Sequence, residues 1–526
     1  MKTPFRHLLA AALLGSALGI QATAQAADLR VGRANEHQSI DPLFSRTGPN
    51  QMTAMHIFDR LISTDENLRA TPALAESWRN IDAKTWEVKL RRNVTFHDGT
   101  PFTAEDVVFS LERAPNVPNS PASFADAVKS IDRMQVVDSH TLRFTTKTPD
   151  PLFIDIIGTV YIVSKKAAQG ASNADFNSGK AAIGTGPYKF VKWVPGDRLE
   201  LLRNEQYWGN KPEFTKVTMK FIANDAARTA ALLSDSVDLI DLVPPADIPK
   251  LQSYSNLRVF QTATVRLIYI GLNQRPNAPF MTDLNGKPLS KNPLNDARVR
   301  KALSLMIDRK GLDERILFGT GEPAGQLVPA GVYGHNPAIK PPAANVQEAR
   351  RLLAEAGYPK GFGITLHSSN DRFLLDREVA QALGQLFARG GLKVNKVETL
   401  PYSVYAKEAR RGTYGLFVFS YGSVTGEASR GLSSLLHTFD KKRNLGSLNR
   451  SLYSNPSFDA ALVKAMQEFD SAKREKMLQE ATEIAFADTG MIPLYWQSLA
   501  WASYKGFTYK ARRDERTLAM SAAVAK

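Results

Sequence analysis

The sequence predicts a mixed α/β protein, and three observations carry that prediction. Short segments such as Thr85–Leu90 and Thr141–Phe144 alternate apolar and polar residues with the two-residue period of a strand. Longer segments, over 296–309 and 346–356, repeat apolar residues at helical spacing. The two kinds interleave along a chain of 526 residues that is 43% hydrophobic and 23% charged, a globular composition. At about 150 residues per domain, that length suggests roughly three domains with sizeable cores.

The elements follow in order. Lys2, Arg6 and His7 make a basic start, Leu8 to Ile20 is apolar, and small residues follow through Ala27. This is the three-part pattern of a secretory signal peptide, with A-x-A sites ending at Ala24 or Ala26. The apolar run of 13 residues would span about 20 Å as a helix, short of the ~30 Å hydrocarbon core. Residues 1–26 are therefore expected to be removed. Asp28 to Gly32 reads as a short strand, followed by a polar loop to Asp41-Pro42. After the strand at Thr85–Leu90, a turn at His97–Pro101 leads to a helix start at Thr103 to Asp106. Its capping-box pattern puts Val107, Val108 and Leu111 on the inner face.

Downstream, Asn345 and Gly357 bracket the helical pattern at 346–356 as caps. A third helix runs from Asp376 to Arg389 and is closed by Gly390-Gly391, after which 392–397 alternates as a strand. Residues 457–487 read as one long helix or two joined ones, with Val463, Met466, Met477 and Ile484 inward. Gly319-Thr320-Gly321 reads as a plain turn, because Pro323 stands where a phosphate-cradling amide would be needed.

Composition excludes several functions. The absence of cysteine removes disulfides, thiolate metal sites, cysteine nucleophiles and lipid attachment through cysteine. The eight histidines form no i, i+3 or i+4 pair for a metal. None of the sequence signatures of serine hydrolases, β-lactamases, zinc proteases or P-loop nucleotidases occurs. The net charge of +15 becomes +13 without Lys2 and Arg6, but its basic runs are short and scattered. Nucleic acid is thus not an expected partner; diffuse charge aids solubility or the binding of anionic solutes and surfaces. An exported, cysteine-free chain with no later segment of about 18 apolar residues is expected to be free in the periplasm.

Several segments carry a resemblance. They are Leu74–Trp78 running into Trp86–Arg91 and Val94–Ser110, then Gly184–Tyr188 with Trp193, Gly196-Asp197, Asn204 and Tyr207–Pro212. Asp296–Ser304 with Ile307–Arg309, Ala349–Tyr358 and Met491–Tyr495 complete the series. Together they resemble the bacterial extracellular solute-binding proteins of family 5, the peptide-, nickel- and opine-binding subunits of ABC importers. Each segment also has a structural reading. Gly184 and Gly186 are expected to take backbone geometries closed to other residues, and Trp78, Trp86, Trp193 and Trp208 to wedge between core layers.

The resemblance implies a periplasmic-binding-protein-like fold of two lobes joined by a hinge, with an additional domain in the first lobe. The first lobe would combine 27–62, 184–271 and 492–526, with 63–183 as the additional domain, and 272–491 would form the second lobe. A solute would bind in the cleft, and closure would present it to permease subunits in the inner membrane. The protein would act as a monomer, without cofactor, resident metal or catalysis.

Peptide-binding relatives place an aromatic residue and then an Asp after a strand of the second lobe, the Asp pairing with the ligand amine. Here that strand is Leu416–Ser420, and Tyr421 takes the aromatic place; the following loop holds no Asp. Glu427 is its nearest carboxylate and a candidate for an ammonium group, with pairing to Arg430 as the alternative; Ser423 and Thr425 offer neutral hydrogen bonds. Some relatives hold the ligand carboxylate with an arginine near Asn370 and Arg372. Arg372 could do so bidentately, the alternative being a surface pair with Asp371 or Asp376. Asn35, Glu36 and His37 are expected to form a solvated turn. Such anchors suit a short peptide or peptide-like zwitterion. A metal-chelate or haem carrier is the alternative on this fold, and an exported hydrolase the alternative of another class.

Overall fold

The computed structural model describes residues 28–277, 280–423 and 426–525. The expected signal peptide lies outside the described residues. An 11-stranded sheet organises the chain. Its strands are β1 (Asp28–Arg33), β2 (Tyr188–Val194), β3 (Arg198–Arg203), β4 (Lys216–Phe221), β5 (Leu239–Ile240) and β6 (Leu257–Leu272). They continue with β7 (Gly321–Pro323), β8 (Gly363–Ser369), β9 (Lys393–Leu400), β10 (Leu416–Gly422) and β11 (Ile492–Tyr504). The spatial order is β9-β8-β10-β6-β11-β5-β1-β4-β3-β2, with β7 beside β11.

Among the described strands, β6 and β11 alone run through both halves. Leu257–Ala263 pairs with Ser498–Tyr504 in one half, and Leu267–Ile270 pairs with residues 492–496 in the other. Between Ala263 and Leu267 the register breaks. There Thr264 Oγ1 donates to the Gln497 carbonyl at 2.8 Å, and the Val265 N–H turns to the Arg513 carbonyl. A break in an antiparallel ladder lets the strands bend, so this pair is the connection about which the halves are set.

Each half has its own core. One contains Leu29, Val31, Leu201, Val217 and Trp501. The other packs Ile268, Leu303, Leu366, Leu383 and Val418 on one face of the sheet and Leu267, Phe419, Leu432 and Leu478 on the opposite face. Residues 75–82, 85–90, 131–138 and 141–146 form a separate four-stranded antiparallel sheet. Its Val88, Leu142 and Phe144 share the first half's core.

Local sequence explains most elements. Thr85–Leu90 forms a strand with Trp86, Val88 and Leu90 buried, as its alternation predicts. The helix Ala104–Arg113 begins where expected, and Asp106 Oδ2 accepts from the Thr103 N–H at 2.9 Å. Asn345 caps the helix Val346–Glu355 through the Glu348 N–H at 3.0 Å. Gly391, at φ 107°, closes Asp376–Gly390.

Three expectations need correction. Residues 457–487 form the second of the two arrangements expected, two joined helices Pro456–Met466 and Ser471–Ala487, with Asp470 capping the latter through the Lys473 N–H at 2.8 Å. Their inner face runs through Leu462, Ala465, Leu478 and Ala481, leaving Val463 half-buried. Gly321–Pro323 is not only turn but pairs with β11. Gly184 and Gly186 do not have left-handed φ angles. They are required by space, since a Cβ on Gly184 would lie 2.0 Å from the Ile57 carbonyl oxygen.

Candidate functional site

Three cavities follow one another between the halves. The largest, about 830 Å³, is lined from the first half by Asn35, Gly48 and Met52 and from the second by Arg372 and Phe373. A deeper one of about 190 Å³ shares Gly48, Arg266, Asp514, Glu515 and Arg516 with it. A third of about 630 Å³ shares Leu68, Ala70 and Asp155 with the second and adds Tyr333, Glu427 and Arg474.

The floor is charged and largely self-paired. Arg266, at the register break, makes a two-point ion pair with Glu515 at 2.7 and 2.6 Å. Asp514 receives Arg512 at 2.7 Å and Arg516 at 3.2 Å, and Arg516 also donates to Gln51. The surrounding arginines hold the Asp514 carboxyl below its ordinary value despite burial.

Arg372 lies in the largest cavity. Its guanidinium is exposed and stacks over the Tyr402 ring, 4.9 Å from the centroid. Asp376 accepts from the Arg372 backbone N–H at 2.9 Å, while Asp371 caps Tyr402 at 2.7 Å. Among the described residues, neither carboxylate makes an ion pair with the guanidinium. Asn370 is half-buried at the end of β8 and donates its N–H to Leu400.

The loop after β10 is tightly tied. Ser423 lines the deep cavity; its Oγ donates to the Glu427 carbonyl at 3.1 Å and accepts the Glu427 N–H at 3.3 Å. Glu427 caps the helix Ala428–Leu435, accepting from the N–H groups of Ser429 at 2.8 Å and Arg430 at 3.1 Å. Tyr421 pairs with Leu267 and is half-buried against the second half's core. Burial pushes its hydroxyl up to about 12, with the Glu427 carboxylate adding to the shift. Thr425 lies outside the described residues.

Near β1, the solvated-turn expectation holds only for exposed Asn35. The Glu36 carboxylate accepts from Trp193 Nε1 at 2.8 Å and from the Gly196 N–H. His37 is buried against Trp193, and burial lowers its pKa to about 3. The tryptophans serve the scaffold: Trp208 Nε1 binds Asp59 at 2.8 Å, and Trp86 packs against Phe153. Among the described residues no group of three or more His, Cys, Asp or Glu could hold a metal ion. No helix among them is long and apolar enough to cross a membrane.

The model of the bacterial extracellular solute-binding proteins, family 5 Middle, matches residues 69–443. The chain belongs to this family. Haem-binding protein A of Haemophilus influenzae is 27% identical over 479 residues, covering 84% of this chain and 82% of the relative. The glutathione-binding protein GsiB of Escherichia coli is 26% identical over 511 residues, covering 96% and 95%. The structure of HbpA2 from Haemophilus parasuis superposes with a TM-score of 0.82 at 24% identity, over 95% of this chain and 100% of that one. The two halves are thus the lobes of a periplasmic-binding-protein fold.

In this family 5 protein, sequence reading missed most of the cleft floor. Arg512-Arg513-Asp514-Glu515-Arg516 is legible as a dense charge run. Its position at the lobe junction depends on contacts with Gln51 and Arg266, which are far away in the chain and carry no local pattern.

Proposed function

We propose that this solute-binding protein works in the periplasm, capturing a short peptide or peptide-like zwitterion between its lobes for the permease of an ABC importer. The observation that carries this reading is the Arg372 guanidinium, which faces the largest interlobe cavity with no carboxylate partner among the described residues. A planar arginine fork suits a carboxylate bidentately, and its stacking on Tyr402 limits the orientations to be lost on binding. The glutathione-binding relative adds weight, since glutathione is itself a tripeptide with free carboxylates. Ser423 and Glu427 contribute from neighbouring cavities, with Tyr421, Thr425 and Asn370 as their supports around the loop and strand ends.

The boundaries expected at 271 and 492 move to the register break: the first lobe takes 27–62, 184–263 and 498–526, with 63–183 as the additional domain, and the second takes 267–496. The hinge is the register break at Ala263–Leu267 opposite Gln497. The solute must bind the closed arrangement better than the open one, because equal affinity would shift nothing.

Thermal denaturation with a panel of short peptides, chelated nickel and haemin tests this reading. A ligand at 100 times its Kd adds about 2.7 kcal/mol, which for a chain of this length raises Tm by about 2–3 °C. Peptide-class solutes are expected to give that rise. A response only to nickel chelates or haemin would replace the peptide reading, and turnover of the stabilising solute would make the protein a hydrolase.

A further inference from the structure

Arg60, on the first lobe, lines the deep cavity that Ser423 also lines, and it lines a second cavity beside Asp59 and Tyr161. It is 7% exposed, and its Nη2 has no hydrogen-bond partner among the described residues. No side-chain hydrogen bond or ion pair joins its guanidinium to any described carboxylate, and its close neighbour is the Tyr161 ring, 5.6 Å from the guanidinium carbon. Of the nearby carboxylates, Asp514 is taken by Arg512 and Arg516, and Asp59, which feels the Arg60 charge, is hydrogen-bonded by Thr185 and Trp208. Buried polar groups are overwhelmingly hydrogen-bonded, so a buried guanidinium left in this condition needs an explanation.

The surrounding framework holds it there. Ile57 accepts from the Gly186 N–H at 3.0 Å, and Leu74 donates to the Arg60 carbonyl at 3.1 Å. Asp59 is fixed by Thr185 at 3.0 Å and Trp208 at 2.8 Å. Arg60 itself forms a β-bridge with Tyr161. The scaffold signatures thus immobilise the residues on either side of Arg60, while its own Nη2 is left without a partner among the described residues. The cavity lining carries Arg46, Arg60, Arg266 and Arg516 against Asp155, Asp514 and Glu515, and Glu515 and Asp514 are already paired with arginines.

We infer that Arg60 is a first-lobe anchor for an oxyanion, a carboxylate or phosphate group of the imported solute. Resting on the reading of Arg372 as the second-lobe carboxylate anchor, this makes the solute one with two acid groups, bridged between the lobes. Binding the oxyanion satisfies donors that the protein leaves unsatisfied, which ties closure to ligand charge. Burial lowers the Arg60 pKa from the ordinary arginine value, with Arg516 adding to the effect. Such a group gains from a bound anion more than a solvated arginine would.

The test uses succinate and inorganic phosphate as probes, with sodium chloride matching the ionic strength, and follows Tm in the full-length mature protein. Wild type is expected to show a saturable rise with at least one probe, and the choice between them identifies carboxylate or phosphate. Arg60→Met should abolish that rise while leaving the unliganded Tm equal or higher, because it removes a buried, unpaired charge. Arg60→Lys keeps the charge but loses the planar fork, and should weaken the response about tenfold in concentration. This variant decides the matter if Arg60→Met does not fold. The Arg60 dependence is read with succinate and phosphate and without any peptide, so failure of the peptide reading would leave this result standing. No saturable rise in wild type, or an equal response in the Arg60 variants, would overturn the assignment.

Discussion

Burial pushes the Asp155 carboxyl up to about 6; Glu427 and Asp150 add to the shift, and Arg474 opposes it. Unfolding returns it to the ordinary value near 3.9. Between those values the folded protein holds the extra proton, so its contribution to stability is present at low pH and lost as pH rises through about 6. Asp155→Asn should therefore stabilise the unliganded protein at pH 7.5 by about 1–2 kcal/mol, with the gain vanishing below about pH 4. Urea denaturation at both pH values measures it; an equal gain at each would exonerate the carboxyl. Glu427 behaves oppositely. From sequence alone its removal would be expected to weaken binding without lowering unliganded stability, but its carboxylate caps a helix. Glu427→Ala should cost about 1–2 kcal/mol before any ligand is added. An unchanged denaturation midpoint would remove the capping role. The exposed place of Arg372 beside the largest cavity is legible because it lies in a polar loop between strand and helix, which runs over the surface. That of Arg60 is not, since nothing in its neighbours' spacing reveals that its partners are taken by others.

The legible elements are those with one wet face. Thr85–Leu90 alternates because one side meets the core and the other does not. By contrast β11, the strand that crosses between the lobes, is buried at every position but the last. A strand buried on both faces has no wet face whose period would distinguish it from a helix. Its passage through both halves becomes visible only in its pairing with β6. The family's glycine signature is likewise a matter of contact between elements. A Cβ on Gly184 would meet the backbone of Ile57, which cannot rotate away as a side chain would. Gly184→Ala should cost about 3 kcal/mol in chemical denaturation. A near-neutral result would mean that the 57–60 turn yields, and with it the fixed placement of Arg60.

At the scale of the molecule, two lobes joined through β6 and β11 enclose a series of cavities whose floor charges are mostly paired with each other. Among the described residues, Arg60 and Arg372 make no ion pair with a carboxylate, one on each lobe: Arg60 is buried and Arg372 is stacked on an aromatic ring. The positive net charge of the chain thereby gains a local meaning that its scattered basic runs did not suggest. The proposed acidic solute, if held from both sides, would favour the closed arrangement, which selective delivery requires. The most direct measurement is native mass spectrometry of the protein purified from the periplasm without denaturation. We predict a one-to-one adduct with a small solute bearing two acid groups, present in wild type and lost from the Arg60→Met/Arg372→Ala double variant. An adduct equally abundant in both proteins, or a retained solute with no acid group, would contradict it.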